Sequence, residues 1–204
     1  MEITLLKQTG GEAYVMELSN GESIKTVLSV VSDYSLYEGR ELSDEELEAV
    51  RDASSLGRAK LRALRIIGAA AMSETALYER LVQKGESEKN AAACIAWLKS
   101  LGFLNDEAYA KQLVSHYAAK GYGKMRVRDE LYRHKVPRRM WEDALSDFPD
   151  QSETIDKFLR TKIKSDNPDR KELKRASDAL IRRGYSWNEV REAMNRYNGF
   201  HEDE

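Results

Sequence analysis

One cysteine and three histidines leave this 204-residue chain little material for metal or redox chemistry. Cys94 has no second cysteine with which to form an internal disulfide or a thiolate metal site. It lies in Ala91-Ala92-Ala93-Cys94-Ile95-Ala96, a strip of small residues that suits close helix packing better than a reactive thiol. His116, His134 and His201 share no ligand spacing, so no metal is expected. No Ser/His/Asp, Cys/His or phosphate-loop constellation occurs, and Gly121-x-Gly123 lacks the preceding apolar strand of a dinucleotide fingerprint. The expectation is a protein with no cofactor and no catalytic activity. The longest uncharged, apolar-leaning run, 90–98, is far short of the ~20 residues that a membrane span needs. Met1-Glu2-Ile3 opens no secretory signal, having neither a basic segment nor a long apolar one. A soluble, cytoplasmic protein of a reducing compartment is expected, without membrane contact.

Aromatic residues are also few, at 8%, whereas 33% of the chain is charged. That balance suits solvated helices over a thin core. The formal net charge is only −2, yet the charges are segregated. Residues 1–50 carry 3 basic and 11 acidic side chains, residues 111–139 carry 9 and 2, and residues 157–196 carry 12 and 6. Segregation of this kind points to an anionic or acidic partner.

A short phrase recurs along the chain. Leu81-Val82-Gln83-Lys84-Gly85 returns as Leu131-Tyr132-Arg133-His134-Lys135 and as Leu180-Ile181-Arg182-Arg183-Gly184, at offsets of 50 and 49. Leu77, Val127 and Ala176 precede each leucine by four residues, and Ile95, Leu145 and Met194 follow the Gly85 position by ten. A constant period with coincident apolar positions marks tandem structural repeats. Repeat proteins present an elongated surface rather than a pocket, so function is expected in binding.

Residues 1–28 read as strands: Ile3–Leu6, Tyr14–Leu18 and Ile24–Leu28, split by Gly10-Gly11 and by the hairpin signal Asn20-Gly21. Residues 29–42 fit either extended chain or a short helix. Ser43-x-x-Glu46 is a capping box that opens a helix through about Ala53, and Ser54-Ser55-Leu56-Gly57 then reads as a joint. Beyond it the pattern is helical, three helices to a repeat. The division is a β-rich acidic unit with one helix at 1–53, repeats at 54–104, 105–149 and 150–198, and an acidic tail at 199–204 that frays. Ser73, Asn105 and Ser186-x-x-Glu189 supply helix starts, Asn167-Pro168 begins the middle helix of the third repeat, and Pro137 begins the last helix of the second.

The basic stretch from Lys120 to Arg128 is the sharpest functional feature. On a helix starting near Lys124, Val127 and Leu131 face inward while Lys124, Arg128 and Lys135 share an outer face. Gly121 and Gly123 would let the helix start approach a partner, whose acidic group its N–H donors would favour. A charge run is usually a solvated face, but nine cations against two anions exceed what solubility requires. The candidate partner-binding cations of this repeat are Lys111, Lys120, Lys124, Arg126, Arg128, Arg133, Lys135, Arg138 and Arg139. Lys174-Arg175 and Arg182-Arg183 form a second patch, diluted by acids, for which binding and a solvated face both stay open. Glu142, Asp143, Asp147 and Asp150 lack the spacing of a calcium loop and read as solvated. Trp97, Trp141 and Trp187, in the last helix of successive repeats, read as packing residues, with stacking on a base or partner as the alternative.

Leu98-x-x-Leu101-Gly102-Phe103-Leu104-Asn105-Asp106-Glu107-Ala108-Tyr109-Ala110 resembles the central motif of the RecX family, bacterial regulators of the RecA recombinase. Lys120-Gly121 with Arg126-Val127-Arg128-Asp129-Glu130-Leu131 resembles the motif that follows in that family. Arg182-Arg183-Gly184-Tyr185-Ser186 and Ser73-Glu74-x-x-Leu77 fit its flanking repeats. The resemblance spans about 58–197. It implies tandem three-helix repeats in a bowed, elongated molecule, mainly α, after a small β-rich unit. It implies a monomer lodged in the helical groove of a RecA–DNA filament, touching RecA and perhaps DNA. There it would modulate, and most simply inhibit, filament growth and strand exchange in recombination, repair and the SOS response. Carried over by position, Lys120, Lys124, Arg126 and Arg128 are the foremost contacts. His134-Lys135-Val136 departs from the family's Gly-Ile pair at that turn. A helical module that binds DNA by itself is the alternative.

Overall fold

The computed structural model describes residues 1–165 and 168–202, the side chains of 198–202 aside. The chain divides into two compact units, Met1–Leu104 and Asn105–Glu204. In the first, strands β1 (Ile3–Gly10), β2 (Ala13–Leu18) and β3 (Ser23–Val27) form an antiparallel sheet in the order β1-β2-β3. The hairpins turn where the sequence places glycine: Gly11 and Gly21 both have positive φ, and the Asn20 side-chain carbonyl accepts from the Glu22 N–H at 2.9 Å. Met16 lies opposite Ile24 and Tyr14 opposite Thr26. With Ile3 and Leu18, Met16 and Ile24 turn one sheet face into an apolar core.

Two helices follow the sheet, α1 (Leu28–Asp33) and α2 (Asp44–Ala69). The short helix settles the alternative left open for residues 29–42. Both halves of the capping box form at the start of α2: Ser43 Oγ accepts from the Glu46 N–H at 3.1 Å and Glu46 Oε2 from the Ser43 N–H at 2.9 Å. This helix does not stop near Ala53, and the joint expected at Ser54–Gly57 lies inside it. The small residues are there for close packing. Ser54 Oγ donates to Thr26 Oγ1 at 2.8 Å in the core, and a Cβ on Gly57 would sit 2.5 Å from Val27 Cγ2. The helix thus crosses the sheet and continues into the first repeat. There Ala59 and Ala63 pack with α3 (Glu74–Gln83) and α4 (Glu88–Ser100), which are capped by Ser73 and Ser87. Cys94 is fully buried in this core, and burial pushes its thiol up to about 11, which keeps it protonated at neutral pH.

The second unit holds α5 (Asp106–Ala119), α6 (Lys124–Arg133), a 3₁₀ turn at Arg138–Met140, α7 (Trp141–Leu145), α8 (Ser152–Lys162), α9 (Arg170–Arg182) and α10 (Trp187–Glu202). Some boundaries differ from expectation. Pro137 is the residue before the 3₁₀ turn, with extended ψ, so the helix proper is only α7. Asn167 lies outside the described residues, and Asp169 caps α9 instead, accepting from the Glu172 N–H at 2.7 Å. The last helix extends to Glu202, past the start of the expected tail.

The recurring phrase is structural. Leu77 and Leu81, Val127 and Leu131, and Ala176 and Leu180 are buried in three separate cores, one per repeat. Each phrase ends on a left-handed residue that stops its helix: Gly85 at φ 88°, Lys135 at 56° and Gly184 at 86°. The Lys135 turn therefore keeps the geometry of the others without glycine.

Candidate interaction surface

The glycines ahead of α6 serve an internal contact. Gly123 N–H donates to the Arg183 carbonyl at 2.9 Å and Met125 N–H to the Gly184 carbonyl at 3.1 Å. A Cβ on Gly123 would overlap the Gly184 carbonyl, and one on Gly184 would overlap the backbone of Arg126. Tyr185, fully buried, donates from its hydroxyl to the Gly121 carbonyl at 3.0 Å. The helix start expected to receive a partner's acidic group is thus covered by the turn after α9. Two of its donors, the N–H groups of Gly123 and Met125, are taken by carbonyls that also complete the C-terminal end of that helix.

This docking fixes how the cations of the second repeat point. Glu130 is nearly buried and binds Arg126 at 2.8 Å and Arg133 at 3.0 Å, so these two guanidinia compensate a carboxylate that would be costly alone. Arg126 also lies over the Tyr122 ring, which stacks on Tyr117, and Lys120 lies over Tyr117. Arg183 is half-buried, set over Phe158 with Nη1 3.4 Å from the Gly121 carbonyl. Lys111 pairs with Asp143 at 3.0 Å and Arg128 with Glu142 at 2.8 Å, both on the surface. Two of the four acids read as a solvated cluster are therefore counter-ions, and Asp150 accepts from the N–H and hydroxyl of Ser152. Lys124 is exposed above Phe148, Arg138 above Trp141, and Arg139 and Lys135 are exposed.

Two surface residues escaped the sequence reading. Met125 and Tyr132 are 61% and 66% exposed, seven residues apart on α6, with Arg128 between them at three and four. They form a Met–Arg–Tyr stripe with Lys124 beside it. Methionine, arginine and tyrosine are the residue types enriched at protein interfaces. The signal was present, since both fall out of register with the buried pair Val127 and Leu131.

In the third repeat, Lys174, Arg175 and Arg182 are exposed on α9. Arg175 and Arg182 line a groove of about 550 Å³ with Lys162, Lys171, Asp169 and Glu172. Its acids are engaged elsewhere: Asp169 caps α9, and Glu172 accepts from the Lys164 N–H at 3.1 Å. The tryptophans do not share one role. Trp97 is half-buried beneath Lys60, and Trp141 donates to the Val136 carbonyl at 3.0 Å. Trp187 is 69% exposed, so the packing role expected for it does not hold. It occupies the first position of α10, ahead of the inward-facing Val190 and Ala193. His134 sits between two phenols, Tyr109 Oη at 2.7 Å from Nδ1 and Tyr117 Oη at 3.4 Å from Nε2. Burial raises both tyrosines above the usual phenol range. Among the described residues no group of three or more His, Cys, Asp or Glu is placed to hold a metal ion. No helix among them is long and apolar enough to cross a membrane.

Comparison with known proteins converges on one family. The family model described as the second three-helix domain of RecX matches residues 105–145, the segment that contains α5, α6 and α7. The regulatory protein RecX of Vibrio parahaemolyticus is 30% identical over 122 residues, 58% of this chain and 77% of that protein. That of Clostridioides difficile is 25% identical over 178 residues, 85% of this chain and 84% of that protein. A crystal structure of regulatory protein RecX superposes with a TM-score of 0.73 at 20% identity, covering 95% of this chain and 98% of that one. The RecX of Lactobacillus salivarius superposes with a TM-score of 0.65 at 18% identity, covering 72% and 98%.

Proposed function

The chain belongs to the RecX family of regulatory proteins, and from that premise we propose that it binds the RecA filament and restrains filament growth and strand exchange. The observation that carries the reading is the stripe Met125–Arg128–Tyr132 with Lys124, exposed on α6 within the segment that the family model matches. The stripe combines apolar anchors with lightly held cations: among the described residues Arg128 has one surface ion pair, to Glu142, and Lys124 lies over the Phe148 ring. Exposed pairs of that kind are worth about 0.2–1 kcal/mol, so Arg128 exchanges Glu142 for a partner's acid at little cost. The tightly held cations, Arg126, Arg133 and Arg183, have a supporting role: they fix the turns that aim the stripe. The protein acts by binding, without a catalytic step.

The test is assembly of RecA on single-stranded DNA with this protein added during growth. Slowed extension and faster net disassembly are expected. Unchanged growth at saturating protein would remove the reading. A second reading, direct action on DNA, is favoured by the α9 groove, where Lys162, Lys171, Arg175 and Arg182 outnumber two engaged acids. Binding of naked DNA without RecA separates the two.

A further inference from the structure

We infer that the first unit carries its own binding site for single-stranded nucleic acid, in the groove between α2 and the sheet. This groove, of about 420 Å³, is lined by Arg58, Arg62 and Arg65 of α2 and by Lys25, Tyr14 and Thr26 of the sheet, and no carboxylate lines it. The setting makes that notable, because residues 1–50 carry 11 acidic side chains against 3 basic. Three of those acids are engaged elsewhere: Glu22 and Glu48 on Arg51 and Glu46 on Arg40.

The fold explains how the cations gather. Ser54 of α2 faces the sheet at Thr26, and Tyr14 lies opposite Thr26 on β2. One turn on from Ser54, the same helix stripe carries Arg58, then Leu61, Arg62 and Arg65. Leu61 still packs on the sheet core, so the arginines emerge beside it at the rim. Arg62 is tied to Glu86 at 2.9 Å and to the Lys84 carbonyl at 2.7 Å. Among the described residues Arg58, Arg65 and Lys25 pair with no carboxylate. Like charges three and four residues apart on a helix repel, and an anion in the groove relieves that repulsion. Guanidinium forks match phosphate oxygens in bidentate geometry. Tyr14 adds an aromatic face on which an unpaired base stacks, a face that a base inside a duplex does not reach. Phosphates on the arginines and a base on Tyr14 describe a single strand.

The site is separate from the filament surface on α6, and its test needs no RecA. The full-length protein is titrated with a fluorescent oligothymidylate across a salt series, beside Arg58→Glu/Arg65→Glu and Tyr14→Leu variants. Urea midpoints check that both variants fold. The double reversal is expected to weaken binding about tenfold or more and to lower the salt slope by about 1.4, two phosphates at roughly 0.7 each. Tyr14→Leu is expected to weaken binding about tenfold with the slope intact, because stacking releases no counterions. Folded variants with the wild-type affinity and slope overturn the inference. So does a parallel titration with polyglutamate in which the double reversal abolishes polyglutamate binding and leaves oligothymidylate binding unchanged, which would make the groove a dock for an acidic polypeptide. If Tyr14→Leu alone misfolds, ultraviolet cross-linking of the bound strand to the wild-type protein decides: adducts at Tyr14 support the site, and adducts confined to residues 105–202 exclude it.

Discussion

Gly123 packs against the backbone of Gly184 so closely that a Cβ on it would overlap the Gly184 carbonyl oxygen, while a Cβ on Gly184 would meet the backbone of Arg126. The contact joins the turn that opens α6 to the turn that closes α9, so the second and third repeats lock through paired glycines. Gly184→Ala is expected to cost about 3 kcal/mol, because the new methyl overlaps Arg126 backbone and φ is 86°. Gly85 has the same backbone conformation in open space, so Gly85→Ala should cost only about 1 kcal/mol. Thermal unfolding of the two variants checks the difference. Equal shifts would show that backbone conformation alone matters at Gly184.

The continuity of α2 changes what truncation should do. A chain starting near Ser54 loses the sheet and about the first ten residues of a 26-residue helix, and leaves Gly57 and Ser54 facing solvent. It should fold less stably than the full chain, with a broadened transition in the first unit. A chain starting at Asn105 keeps all of α5 to α10 with their two cores, and should unfold cooperatively as a helical protein. Circular dichroism of both fragments against urea is the measurement. A sharp, fully helical transition for the Ser54 fragment would mean that the sheet is dispensable.

Much of this architecture is legible in the sequence. The phrase at Leu81, Leu131 and Leu180 reports three cores because each leucine and the residue four before it must fill the same hole. The capping boxes are local, one turn of chain recognising itself, and they form as read. The misreadings concern small residues. Ser54–Gly57 looks like a linker and Gly121-x-Gly123 like an approach to a partner, yet both are small because another segment of the same chain presses on them. Which segment presses is long-range information that local pattern does not carry. The same holds for the cations. Composition counts nine in 111–139, but only the fold shows that the nearly buried Glu130 ties down Arg126 and Arg133 while Arg128 has only a surface ion pair and Lys124 stays exposed.

Alkaline pH should unfold the protein through its buried acids. Tyr109, Tyr117 and Tyr185 are raised above the usual phenol range, and Cys94 reaches about 11, each mainly by burial of the group. A group whose proton is held more tightly in the folded state contributes stability below its unfolded pKa. That contribution is lost as pH rises through the folded value. The urea midpoint should hold level to about pH 8, where the unfolded thiol begins to titrate, and fall from there through pH 11. Tyrosinate absorbance should rise together with loss of helix. Tyrosines that titrate normally in a still-folded chain would show that they are open to water.

Reversal of Lys124 and Arg128 to glutamate should leave the fold intact. Both side chains are exposed, and surface changes usually stay within about 0.5 kcal/mol of stability, with one surface ion pair to Glu142 lost in addition. Filament binding should fall at least tenfold. Met125→Ala/Tyr132→Ala should weaken it as well, through lost apolar contact, and with little change in salt dependence. Full restraint of RecA by the folded double reversal would remove this stripe from the interface.

Salt distinguishes the partner. Lysine and arginine that neutralise phosphates release condensed counterions, and affinity then falls with a log–log slope of about −0.7 per phosphate on a single strand. Cations that meet acids on a protein are screened, but release no condensed atmosphere, so the slope is shallower. On the surface of α6 the cations stand among apolar anchors, Met125 and Tyr132, whose contribution salt does not weaken. A modest slope is therefore expected for the RecA-coated strand. A steeper one is expected for the naked strand, where α9 and the groove beside α2 offer mostly arginine and lysine. Naked binding should also be the weaker near physiological salt. The measurement is affinity across a salt series for RecA-coated and naked single strands of equal length. Equal slopes with equal affinities would make DNA the primary partner and the contact with RecA secondary.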